Sequence, residues 1–292
     1  MKLLRFALFL FLLAPLGCAE APPLSSTSET GAEVADLPTA SRVVALTSVS
    51  ADIAHHLDDS KLVGISGSSL LNQDPDFENL PRVSEGRTQP SLETIVALDP
   101  DLVIGAVGFH DQILETLQSV PIETLSTELD SWQSLEDLTR TIAATLQMDP
   151  EPLLQSYQQC LPTQPVAEET QTLVLVSRQP LLSPNKDSWA GDLLTRFQVD
   201  NLAAELQGQS PIGGYVTLSP EKVLEANPDI LLLVDVEGDA VEAFESEPFW
   251  GDLKAVQTDQ VYVMNYYGLI NPGSIEAILE TCEQLQQIYG TD

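Results

Sequence analysis

The sequence predicts an α/β fold: two lobes with parallel-type sheets, joined by a helical connector, with a ligand cleft between them. A doubled motif, short apolar runs alternating with helical patterns, and a helical stretch separating two such regions predict it. Residues 91–104 read SLETIVALDPDLVI and residues 219–232 read SPEKVLEANPDILL. Ser91 and Ser219, Glu93 and Glu221, Pro100 and Pro228, and Asp101 and Asp229 stand at one constant offset. One spacing kept over four polar positions, with an apolar run after each copy, points to two lobes of similar construction.

The repeated unit reads as helix, tight turn, buried strand. Each serine sits where an N-cap belongs, and the glutamate two residues on faces the positive end of the helix dipole. Leu92, Ile95 and Val96 fall on one helical face in the first copy, Val223 and Leu224 in the second. The residue before each proline is pushed out of the helical region, which ends the helix. The runs Leu102-Val103-Ile104 and Ile230 to Val234 suit strands buried on both faces, as in parallel sheets flanked by helices. By spacing alone Glu93 and Glu221 read as ordinary helix-start residues.

The other elements follow in order. Arg42 to Leu46 is a first strand, a polar turn runs from Thr47 to Ser50, and a helix from about Ala51 to Leu57 leads to the strand Leu62 to Ile65. Arg82-Val83 and the first copy of the repeat follow, and Pro121 to Leu125 closes the first lobe, residues 41–133. Leu135, Leu138, Ile142 and Leu146 carry a helical pattern, which Asp149 as N-cap and Pro150 as first helical residue restart. This connector covers 134–170, and Leu173 to Val176 opens the second lobe, 171–292, whose last helix runs from about Ser274 to Tyr289. Clefts between two lobes are favoured small-ligand sites.

The formal charge of −32 excludes general affinity for nucleic acid, which needs clustered Lys and Arg. Lys2 and Arg5 followed by the apolar Phe6 to Leu13 read as an export signal, residues 1–17, too short to span a membrane. Leu16-Gly17-Cys18 resembles a bacterial lipobox, with Pro15 departing from the usual pattern; the resemblance implies acylation of Cys18. Residues 18–40, rich in Ser, Thr, Pro, Glu and Ala, read as a tether. In an exported protein Cys160 and Cys282 suit either a disulfide or two buried thiols, and the sequence does not choose between them.

The order and spacing of these segments resemble the substrate-binding proteins of ABC importers for cobalamin and iron–siderophore complexes, the type with a helical backbone between Rossmann-like lobes. The matching segments are Arg42 to Leu46, Leu62 to Ile65, Leu92-Glu93 through Ile104, Leu218 to Glu221 through Asp229, and Phe249-Trp250 to Val263. The resemblance implies a monomer without cofactor that works by binding. It also implies that Glu93 and Glu221 dock arginine pockets of a permease, a pairing of exposed carboxylates with guanidinium groups. Gly86 to Glu93 resembles the corresponding stretch of hydroxamate-siderophore binders, which implies a ferric siderophore ligand contacted by Arg87. Phe109, Trp189, Tyr215, Tyr266 and Tyr267 lie on loops that the resemblance aims at the cleft, where aromatic rings suit a bulky ligand. Cobalamin, haem and ferric citrate receptors of the same family are the alternatives; Tyr215, Tyr267 and His110 keep haem open.

Other classes fit poorly. His55 and His56, adjacent on a helix, diverge by about 100° and cannot easily face one metal ion. Gly64-Ile65-Ser66-Gly67 lacks the closing glycine of a nucleophile elbow, and no acid–histidine set accompanies it, which argues against an exported enzyme.

Overall fold

The computed structural model describes residues 39–290 other than 87, 164–169, 209, 211, 236, 237 and 239. The export signal, Cys18, the tether to residue 38 and Arg87 lie outside the described residues.

The first lobe runs β1 (Val43–Ala45), α1 (Ser48–Asp58), β2 (Leu62–Ile65), α2 (Ser69–Gln73), α3 (Leu92–Ala97), β3 (Leu102–Ala106), α4 (Asp111–Leu117) and β4 (Glu123–Thr127). Its strands form one parallel sheet in the order β2-β1-β3-β4. The central β1 and β3 are buried on both faces, whereas the edge strand β4 is only half-buried. The connector is α5 (Trp132–Leu146) and α6 (Glu151–Cys160). The second lobe runs β5 (Gln171–Leu175), β6 (Ser177–Arg178), β7 (Leu181–Pro184), α7 (Trp189–Arg196), β8 (Asp200–Asn201), β9 (Tyr215–Leu218), α8 (Pro220–Ala226) and β10 (Ile230–Asp235). It closes with α9 (Ala240–Glu245), α10 (Lys254–Gln257), β11 (Val261–Asn265), α11 (Tyr266–Leu269) and α12 (Ile275–Tyr289). Its main sheet is parallel, ordered β11-β10-β5-β8. A small antiparallel sheet, β6-β7-β9, stands beside it, an addition that the apolar runs do not announce.

The doubled motif is doubled in structure. Ser91 Oγ accepts from the Thr94 N–H at 3.2 Å and Ser219 Oγ from the Lys222 N–H at 3.3 Å, capping α3 and α8. The repeated aspartates latch each lobe together at the start of its strands. Asp101 accepts from the Ser41 and Arg42 N–H groups at 2.8 and 3.0 Å, and Asp229 from the Gln171 N–H at 3.1 Å. Before each proline the chain turns left-handed, at Asp99 (φ 48°) and Asn227 (φ 40°), a region that Asp and Asn enter more readily than most residues.

One expectation is corrected here. Of the apolar positions on these two helices only Ile95 and Val223 are buried; Leu92, Val96 and Leu224 are exposed. Helices this short contact the sheet through about one turn, so the flanking apolar positions face outward. The connector also starts slightly differently: α6 begins at Glu151, one residue later than expected, with Asp149 Oδ1 accepting from its N–H at 3.0 Å.

One hydrophobic core crosses both lobes. Val43, Ala45 and Ile104 of the first sheet and Val174, Leu232 and Val234 of the second belong to a single buried cluster, continuous through α1, α5, α7 and α12. The helix α5 is anchored to the second lobe at its start, where the Trp132 N–H donates to Asp192 Oδ2 at 2.8 Å and the ring stacks on Trp189. Near its end it is anchored to the first lobe, where Thr145 O accepts from the Ala40 N–H and Leu146 O from Lys61 Nζ. Cys160 and Cys282 form a disulfide that joins α6 to α12, with Cα atoms 5.3 Å apart. Asp52, buried on α1, accepts from the Ile275 N–H at the start of α12 at 2.6 Å and pairs with His56 at 3.1 Å.

Two stability predictions follow from these ties. The disulfide closes a span of 122 residues, so Cys160→Ser with Cys282→Ser should lower unfolding free energy by about 3–5 kcal/mol. Equal urea midpoints for the parent and the double variant would refute the bond's contribution. Hydrogen bonding to Asp52 raises His56 from its ordinary 6.5 to about 9 in the folded protein. The pair's contribution is therefore complete below about pH 6.5 and lost as pH rises through about 9. Urea titrations at several pH values should show this decline in the parent and not in His56→Gln.

Candidate functional site

In both main sheets the loops leaving the strands gather at the carboxyl edge, where ligands bind in open α/β sheets. The two lobes meet in this region through Ser69, which starts α2, and Tyr267, just past β11. Ser69 Oγ and the Tyr267 hydroxyl lie 2.9 Å apart. Gly273 fits closely between Leu70 and Tyr267, where a Cβ would come within 2.5 Å of the leucine and 3.0 Å of the ring.

On the second lobe three tyrosines come together. The rings of Tyr266 and Tyr267 meet edge to face with centroids 5.3 Å apart. Burial pushes the Tyr215 phenol up to about 12, with a smaller contribution from neighbouring Tyr266, so it stays protonated at neutral pH. Asn265 caps the turn, accepting from the Tyr267 N–H at 2.9 Å. Gly268 closes it at φ 94°, where a Cβ would strike Ala277 O at 2.1 Å. Beside Asn265, at the carboxyl edge of β10 and β11, lies an open hollow of about 310 Å³, lined by Asp235, Gly238, Val263 and Asn265. A second hollow, about 270 Å³, lies between α2 and the start of α12 and is lined from both lobes, including Asp52, Phe77 and Glu276.

Trp189 departs from expectation. It stands at the first residue of α7, not on a loop, and is only 3% exposed. Its indole N–H donates to Gly268 O at 2.7 Å, so it supports the tyrosine turn from beneath. The signal was Ser188, whose side chain caps α7 by accepting from the Gly191 N–H. Phe109, by contrast, is 79% exposed on the loop after β3. At the end of that loop His110 Nδ1 accepts from the Ala106 N–H at 2.9 Å, which leaves the proton on Nε2. Burial lowers its pKa, so the ring is neutral. His55 pairs with Asp76 and His56 with Asp52, and no metal-binding group of three or more His, Cys, Asp or Glu occurs among the described residues.

Glu93 and Glu221 are exposed in the first turns of α3 and α8. The Ser219 hydroxyl, with the backbone amide of Glu221 itself, holds the Glu221 carboxyl below its usual range. Each glutamate has an exposed apolar residue three places on, Val96 or Leu224. The two tips therefore present the same pair of groups.

This combination of parallel-sheet lobes, a helical connector and a shared interlobe region defines a two-lobe binding protein. The chain belongs to the periplasmic binding protein family, whose profile matches residues 43–267. It is similar to the Fe(3+)-citrate-binding protein YfmC of Bacillus subtilis (strain 168), 28% identical over 186 residues, 60% of this chain and 57% of that one. It is also similar to the Fe(3+) dicitrate-binding periplasmic protein FecB of Escherichia coli (strain K12), 28% identical over 188 residues, 60% of this chain and 59% of that one. The chain thus spans about three-fifths of the length of these curated relatives. Among solved structures, the periplasmic heme-binding protein HutB of Vibrio cholerae shares the fold with a TM-score of 0.70 at 21% identity, covering 85% of this chain and 98% of that one.

Trp189→Phe keeps an aromatic ring but removes the indole N–H and part of the buried ring, leaving Gly268 O without its donor. It should cost about 1–3 kcal/mol of unfolding free energy, measured by urea denaturation. A loss below about 0.5 kcal/mol would show that the turn does not depend on this bond.

Proposed function

We propose that this protein is the exported, lipid-anchored receptor of an ABC importer, which captures a ferric siderophore of the hydroxamate type and hands it to a permease. The observation that carries the reading is the pair of matching tips within a chain of the periplasmic binding protein family. Glu93 with Val96 and Glu221 with Leu224 repeat the same exposed carboxylate and apolar neighbour on two lobes tied by one core. Paired anions, each beside an exposed apolar residue, complement two guanidinium-lined pockets on one partner.

Ligand enters between the lobes at the carboxyl edges, against Phe109 and the three tyrosines. Arg87, outside the described residues, supplies a contact to the hydroxamate oxygens. The support for hydroxamate is the character of Gly86 to Glu93; the support for iron is that two relatives are named for ferric citrate. The protein acts by binding, as a monomer, and Cys18 is its anchor.

Glu93→Arg with Glu221→Arg should reduce ferric-hydroxamate uptake by cells at least about tenfold while changing ligand affinity less than about threefold, because like charges then face the permease. Calorimetric titration of the purified variant alongside the uptake assay separates the two effects. A comparable loss of ligand affinity would refute the docking role.

A further inference from the structure

The cations of this chain constrain its ligand. Of the 12 Lys and Arg residues, Lys2, Arg5 and Arg87 lie outside the described residues. Every other one is held. Arg42 and Lys61, next to the amino ends of β1 and β2, donate to backbone carbonyls of Leu98 and Asp99 and of Leu146. Arg140, Arg196, Lys222 and Lys254 pair with carboxylates on the helices or at strand starts.

Three described cations stand near the carboxyl edges. Arg82, bridged to the end of β2, commits four of its five N–H groups to Asn72 Oδ1 and the carbonyls of Leu71, Phe77 and Leu80, at 2.7–3.1 Å, all of them neutral acceptors. Arg178 faces Glu247 at 3.6 Å and Lys186 faces Glu205 at 2.7 Å. Such exposed pairs are weak and can open. Opening one gains nothing for an anion, however, because the freed carboxylate stays alongside and the pair together is neutral. The hollow at the end of β10 and β11 adds the Asp235 carboxylate and no cation. Around all of this the chain carries a formal charge of −32, whose field repels anions approaching from solution.

We infer that the ligand carries no net negative charge: a neutral or cationic ferric chelate, not a polyanionic one such as ferric citrate. The inference rests on the ferric-chelate reading above and narrows it. It sets this chain apart from the two relatives named for ferric citrate, which share 28% identity with it. Arg82, which has no carboxylate partner among the described residues, and Arg87 can together offset at most two charges, short of a polyanionic chelate.

The test is calorimetric titration of the mature protein with ferrichrome (neutral), ferrioxamine B (monocationic), ferric dicitrate (polyanionic), cyanocobalamin and haemin, at about 50 and about 500 mM salt. The neutral or monocationic iron chelate should bind at least about tenfold more tightly than ferric dicitrate, and salt should change the affinity of the neutral chelate by less than about threefold. Lys186→Ala and Arg178→Ala should leave that affinity within about threefold, since each loses one half of a neutral pair. Ferric dicitrate binding as tightly as the hydroxamates, and weakening with salt or on loss of either cation, overturns the charge inference and leaves the ferric-chelate receptor intact. Binding of cyanocobalamin alone overturns the iron reading and supports the charge inference. Binding of the dianionic haemin alone, or of none of the five, overturns both.

Discussion

Both main sheets are parallel, and that constraint organises the molecule. Successive parallel strands cannot be joined by a hairpin, so each connection must return across the sheet, mostly through a helix. The central strands are thereby covered on both faces, which is why β3 and β10 are nearly continuous apolar runs. The same constraint sends the loops that leave the strands to the carboxyl edges and the connections back to the amino edges. The tyrosine turn after β11 and the Phe109 loop after β3 lie where they do for this reason. The repeated Asp101 and Asp229 sit at the opposite edge, closing the start of each sheet.

Two such lobes need a joint, and the joint here is mostly apolar. Its core passes through α1, α5, α7 and α12, and its polar ties include the buried Asp52 to Ile275, the part-buried Trp132 to Asp192, and the exposed Ser69 to Tyr267. The buried Asp52 carboxylate is tolerated because two donors meet it, the Ile275 N–H and His56. The arrangement leaves less freedom than a two-strand hinge would, since bending it means disturbing a packed interior.

The legible part of this fold was the part with period and punctuation. Ser91 and Ser219, the two Pro-Asp steps and the apolar runs after them marked helices and strands whose outlines the structure keeps. The small antiparallel sheet was not legible: β6 has two residues, β7 ends in Pro184, and β9 lies some thirty residues beyond, so no alternation connects them. The contact of Asp52 with Ile275 spans 223 residues and leaves no periodic trace. Nor does spacing distinguish a short helix that buries one apolar residue from one that buries three, which is why Leu92, Val96 and Leu224 read as core. Around the site, Tyr215, Tyr266 and Tyr267 do cluster. Trp189 is hidden among them because an aromatic beside a capping serine looks the same from sequence whether it points out or in. The thiols of Cys160 and Cys282 left two readings open, since only the packing of α6 on α12 brings them together.

The stacked indoles of Trp132 and Trp189 have a consequence of another kind. One belongs to the connector and the other to the second lobe, with ring centroids 6.0 Å apart and planes inclined by 17°. Any slip of α5 against α7 must slide one chromophore over the other. The joint between the lobes therefore carries its own optical gauge, and near-ultraviolet dichroism can follow its displacement without an attached label.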